Sequence, residues 1–135
     1  MSGAFFDSNV LLYSLARDDP RASVASGLLL EGGAISVQVL NEVANVARRK
    51  LKLSWAEVAE ALDALQVLCA PPRPLTLAIH AAALPLAERY QVSFYDALIV
   101  ASALEAGCAT LLSEDLHHGL VIEGRLTVQN PFRGL

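Results

Sequence analysis

Four carboxylic acids stand in strongly apolar company: Asp7 in FFDSNVLLY, Glu42 in ISVQVLNEVANVARRK, Asp96 in SFYDALIVASALEAG and Asp115 in TLLSEDLHHG. An ionised side chain among such neighbours needs something to offset the hydration it loses. If the four converge they also repel: two unit charges about 4 Å apart cost roughly 4 kcal/mol at an effective dielectric of 20. Such a site must raise its pKa values, spread apart, or hold a cation. Hard Mg²⁺ or Mn²⁺ prefers oxygen ligands, and no His or Cys stands near these acids with zinc-like spacing. Carboxylate-held Mg²⁺ most often serves phosphoryl chemistry, activating water and stabilising developing charge.

Plainer readings stand beside this one. Asp7 follows an apolar run and suits a helix cap. Asp96 lies three residues after Ser93, as in a capping box. Glu42 shares a helical stripe with Gln38, Asn45 and Arg49, either a solvated face or a path from an acid to a basic group about 10 Å away. Arg48, Arg49 and Lys50 also suit the negative end of a helix dipole. Glu114 reads as a solvent-facing neighbour of Asp115, with an auxiliary role open. His117 and His118 read as exposed loop residues and His80 as structural. Trp55 is either partly packed or part of an interface.

The elements that would position these acids can be read from pattern and punctuation. Ala4 to Asp7 reads as a short buried strand, and Asp7-Ser8-Asn9 leads into a helix to about Ala16. Pro20 opens a second helix, which Gly32-Gly33 ends. Ala34 to Ser36 reads as a second strand, and Val37 to Lys50 carries helical spacing. Ser54 with Glu57 caps a helix to about Cys69. After the break at Ala70 to Pro74, Leu75 to Leu77 reads as a brief strand and Ala78 to Tyr90 as a helix. Phe94 to Glu105 is a helix stopped by Gly107; Ala109 to Leu112 and Leu126 to Gln129 are strands. Short strands alternating with helices imply an α/β fold, a parallel sheet with helices on both faces. Such sheets place their sites at the carboxyl ends of the strands, where Asp7 and Asp115 fall.

The 135 residues fit one domain, residues 1–135, and 54% apolar content is ample for its core. A net charge of −4 excludes binding nucleic acid by phosphate attraction alone, but not a nuclease whose bound metal supplies the positive charge. Cys69 and Cys108 form no CxxC motif and read as small buried hydrophobes of a reduced, cytoplasmic protein. The opening residues show no signal peptide, and no apolar run reaches the roughly 20 residues that span a bilayer. An aspartyl phosphatase would want a second Asp where Asn9 stands. A receiver domain would want a late lysine, and none follows Lys52.

With these segments in this order, the chain resembles the PIN-domain family, and within it the VapC-type toxins of bacterial and archaeal toxin–antitoxin pairs. The likeness runs through FFDSNVLLY, SVQVLNEVANV, YDALIVASALEAG and TLLSEDLHHG to the tail Val128-Gln129-Asn130-Pro131-Phe132. It implies a three-layer α/β/α sandwich around a mostly parallel sheet, and Mg²⁺- or Mn²⁺-dependent cleavage of RNA. It assigns the family's acids to Asp7, Glu42, Asp96 and Asp115. Asp7, Asp96 and Asp115 would carry metal, while Glu42 acts through a bound water or orients the nucleophile. Asn9 would brace the site, and Ser113 takes the hydroxyl position before the last acid. It also implies an antitoxin partner and a homodimer. The rival reading is a PIN-like domain that binds RNA or protein without cutting, against which all four acids speak.

Overall fold

Strand β1 (Ala4–Phe6) buries Phe5 and Phe6 completely. Successive strand residues face opposite sides, so the sheet is covered on both faces, as a parallel sheet requires. In β2 (Thr110–Leu112), Leu111 and Leu112 are buried in the same way. The computed structural model describes residues 3–135. The reading of the opening residues as leaderless rests partly on Met1 and Ser2, outside that range.

Six helices follow one another between β1 and β2: α1 (Ser8–Ser14), α2 (Arg21–Glu31), α3 (Val37–Arg49), α4 (Trp55–Leu68), α5 (Leu77–Tyr90) and α6 (Phe94–Glu105). The chain then adds β3 (Val121–Ile122) and β4 (Leu126–Gln129). The sheet order is β1-β2-β4-β3; β1, β2 and β4 run parallel, and β3 is antiparallel to β4. The α/β architecture and mainly parallel sheet are those the sequence implies. One apolar cluster extends from Phe5 to Phe132.

Helix starts follow their caps. Ser36, Ser54, Thr76 and Ser93 each accept a backbone N–H from the first turn of α3, α4, α5 and α6. Two expected strands differ. Leu75 to Leu77 is not a strand, because the Thr76 hydroxyl caps α5 and Leu77 is already helical. Ala34 to Ser36 contributes only isolated bridges, Phe5 to Ala34 and Ser36 to Arg73. That edge lies so close to β1 that a Cβ on Gly33 would sit 2.6 Å from the Phe6 ring; a glycine is needed there.

The antiparallel β3 was not anticipated. It joins β4 through a turn in which Glu123 and Gly124 both have positive φ, 53° and 65°, closed by Arg125 N–H to Ile122 O at 3.0 Å. Positive φ at both central positions is what a type I′ turn requires, with Glu where Asn or Asp is usual. Contacts from α5 hold Glu123 in place: its N–H reaches the Tyr90 hydroxyl at 2.8 Å, and its Oε2 accepts from Arg89 and Tyr90.

Candidate active site

Parallel pairing of β1 with β2 puts Phe6 opposite Leu112, so Asp7 and Ser113 emerge together at the carboxyl edge of the sheet. Asp7 is 1% exposed. Its Oδ1 accepts Ser8 N–H at 2.7 Å, and its Oδ2 accepts the Ser113 hydroxyl at 2.7 Å and Asn9 Nδ2 at 3.3 Å. Asp7 is therefore both the cap of α1 and a member of the acidic group.

Asn9 ties the sheet edge to the loop after β2. Its Nδ2 also donates to Asp115 Oδ2 at 3.2 Å, and its Oδ1 accepts Glu114 N–H at 3.1 Å. Ser113 Oγ accepts the N–H groups of Asp115 at 3.2 Å and Leu116 at 3.3 Å, which fixes the turn carrying Asp115. Glu42, from α3, accepts the Ser8 hydroxyl on Oε1 at 2.8 Å and Gln38 Nε2 on Oε2 at 3.2 Å. Asp96 sits half-buried at the start of α6, whose next seven residues, Ala97 to Ala103, are buried. Its N–H donates to Ser93 Oγ at 3.1 Å, but the reciprocal half of a capping box, present at Ser54 and Glu57, does not form here. That leaves the Asp96 carboxylate to face the other acids.

Burial and neighbouring acids raise three of these carboxyls. Burial pushes the Asp7 carboxyl up to about 7; the Ser113 and Ser8 hydrogen bonds oppose this, and the charges of Asp96 and Glu42 add to it. Burial also raises Glu42, opposed by its bonds to Ser8 and Gln38 and reinforced by Asp96 and Asp115. Asp96 is raised by burial, opposed by Ser93 and reinforced by Asp115. The charges that shift these three groups are all carboxylates. An oxygen-only donor set with no cation of its own suits a hard divalent ion. Among the described residues, however, no three acidic, histidine or cysteine side chains close on a single point. The bridges from Asn9, Ser8 and Ser113 set their spacing.

Two recesses flank the acids. One, of about 420 Å³, is lined by Gln38, Asn41, Glu42, Asn45 and Tyr95. The other, of about 290 Å³, holds Asp96, Asp115 and His117. A larger cavity of about 660 Å³ lies between α5 and α6 and contains none of the four acids.

The remaining singled-out residues fall as follows. Glu114 is half-buried rather than free in solvent, accepting from the Tyr13 hydroxyl and Arg21. His118 is exposed yet employed, its Nδ1 accepting Asn130 N–H at 3.0 Å. His80 is exposed and packs edge-on to Phe94. Arg48 donates to Leu53 O and lies over Trp55, which is 66% exposed. The cysteines are free and buried. Ser8, Gln38 and Tyr95 were missed as site residues; the first read as cap and the second as solvated face.

The profile of the PIN domain family matches residues 4–120. No curated protein matches the chain in sequence. In structure, the chain is similar to VapC20 of Mycobacterium tuberculosis, a toxin that cleaves the sarcin–ricin loop. The TM-score is 0.67 at 19% identity, over 84% of this chain and 90% of that one. It is also similar to a toxin–antitoxin complex from Klebsiella pneumoniae, with a TM-score of 0.70 at 22% identity over 96% of this chain and 98% of that one.

Proposed function

The chain belongs to the PIN domain family, and from that premise we propose that it is a divalent-metal-dependent ribonuclease, the toxin of a toxin–antitoxin pair. The observation that supports this reading is that Asp7, Glu42 and Asp96, from three separate segments, are each raised by burial with only carboxylate charges adding to it, while Asn9 links Asp7 to Asp115. Asp7, Asp96 and Asp115 would hold the cation. When bound, Mg²⁺ or Mn²⁺ supplies positive charge against the phosphodiester and the developing negative charge of its hydrolysis.

The chain's own groups do the rest. Ser8 and Gln38 hold the Glu42 carboxylate, one at each oxygen. With its pKa raised, Glu42 is suited to take a proton from the attacking water. Asn9 and Ser113 keep Asp7 and Asp115 at fixed separation, so that neither swings away when charge changes.

The partners belong to the same proposal. A groove between α2 and α4, lined in part by Leu15, Leu29, Leu30, Leu65 and Leu68, is mostly apolar, and Leu30 is 78% exposed at its rim. This supports an antitoxin or a second copy as occupant. No helix among the described residues is long and apolar enough to cross a membrane, and we place the protein in the cytoplasm, acting on RNA.

Purified protein incubated with RNA in Mg²⁺ or Mn²⁺ tests the reading. Cleavage that stops with EDTA and in Asp7→Asn supports it; RNA bound but never cut would favour the non-catalytic domain. That alternative draws on the absence of a ready three-ligand cluster among the described residues.

A further inference from the structure

We propose that the recess between α3 and the start of α6 is a subsite for one unstacked nucleobase of the RNA, beside the phosphodiester that the acids act on. This inference rests on the ribonuclease reading. The recess, about 420 Å³, has four polar walls, Gln38, Asn41, Glu42 and Asn45, and one aromatic wall, Tyr95. Residues 38, 41 and 45 recur at i, i+3 and i+7, which puts three carboxamides on one face of α3. A carboxamide carries both donors and an acceptor, the equipment needed to read the edge of a base. Asn41 and Asn45 are exposed. Gln38 is 7% exposed and donates its Nε2 to Glu42, which leaves its carbonyl oxygen as the acceptor it can offer.

Tyr95 supplies the stacking surface. It is 63% exposed, although it stands directly before Asp96 and two residues before the buried run Ala97 to Ala103. The other two tyrosines are tethered, Tyr13 to Glu114 and Tyr90 to Glu123; Tyr95 has no such tether among the described residues. Its ring is steadied instead by Phe94, edge-on at 5.9 Å, and Phe94 in turn meets His80 at 5.3 Å. Single-stranded RNA is recognised mainly by splayed bases stacking on such rings while amides read their edges. Glu42 belongs both to this recess and to the acidic group. A base seated on Tyr95 therefore lies next to the reacting phosphate, where it can select the position of the cut.

The test measures fluorescence anisotropy of labelled hexaribonucleotides (A, C and U homopolymers) and of an abasic ribose-phosphate hexamer. Ca²⁺ replaces Mg²⁺ for binding, and cleavage is followed separately in Mg²⁺ and Mn²⁺. Tyr95→Ala is expected to weaken binding of base-bearing probes about tenfold or more. Tyr95→Phe, which keeps the ring, should stay within about twofold of wild type, again because the stack survives. Asn41→Ala and Asn45→Ala are expected to change the ranking of the three homopolymers. The abasic probe should not distinguish wild type from Tyr95→Ala. Equal binding by wild type and Tyr95→Ala, an equal loss with the abasic probe, or no binding by wild type overturns the subsite. Tyr95-dependent binding without cleavage in either metal would sink the ribonuclease reading and leave the subsite standing. Cleavage indifferent to Tyr95→Ala would do the reverse.

Discussion

Two groups of acids lie side by side in this fold and solve the same electrostatic problem differently. Asp19 and Glu114 are matched within the chain: Arg21 bridges them at 3.0 and 3.3 Å, and lies over the Tyr13 ring at 4.2 Å. The result is a lowered Asp19 carboxyl, held down by hydrogen bonds from Arg21. Asp7, Glu42 and Asp96 are raised instead, first by burial and then by one another. Adjacent residues fall on opposite sides of the divide, since Glu114 joins Arg21 while Asp115 joins Asn9. The chain sets an arginine of its own between the acids of one group and none among the more buried acids of the other, the contrast expected if the second takes the proposed divalent cation.

The sharpest way to break this contrast is to exchange one acid from each group for its amide. Asp7→Asn should lower RNA cleavage by about a hundredfold or more, the scale of losing a principal electrostatic group in a site. Asp19→Asn should leave cleavage close to wild type and slightly lower the melting temperature. Comparable losses in both variants would erase the distinction.

Acidity gives the next largest effect. The folded-state pKa of Asp7 lies above its unfolded value, so with EDTA present the folded protein retains a proton between about pH 4 and 7. The stability this proton brings is complete below pH 4 and is lost as pH rises through 7. At 1.36 kcal/mol per unit, the loss is about 4 kcal/mol. Chemical denaturation in EDTA should show this decline; Asp7→Asn should make it shallower, leaving the smaller share of Glu42 and Asp96, and Mg²⁺ should reduce it. A decline unchanged in Asp7→Asn would remove Asp7 as its source.

Smaller effects sharpen the roles of the bracing groups. Asn9→Ala should reduce cleavage about ten- to a hundredfold, the range for groups that orient metal ligands, with Mg²⁺ dependence shifted to higher concentration. Ser113→Ala should destabilise by about 1–3 kcal/mol, because Asp115 N–H, Leu116 N–H and Asp7 Oδ2 each lose a partner. Arg21→Ala, measured in the same assays, should alter cleavage least.

The sequence carried much of this because its signals are local. Ser36, Ser54 and Ser93 mark helix starts through the hydrogen bonds they form, so α3, α4 and α6 begin where expected. Thr76 misled because Leu75-Thr76-Leu77 alternates like a strand, while its hydroxyl acts on the helix that follows. β3 was hidden because Glu123 adopts a left-handed conformation supported by distant Tyr90 and Arg89 rather than by its own residue type. The four acids stood out because charge among apolar residues demands a reason. Ser8 and Gln38 did not, since each is ordinary in its own segment and acquires meaning only when α1 meets α3.

The pairing of Asp7 with Ser113 spans a sequence separation of 106 residues, and Ser113 in turn rests on Gln129 through its backbone N–H. A ribosome making this chain therefore exposes the first acid long before its companions exist. Until β4 has emerged and docked, Asp7 has its local partners Ser8 and Asn9 but not the Ser113 hydroxyl that completes its setting. Translation order alone thus delays completion of the acidic group until almost all of residues 7–129 are free to fold.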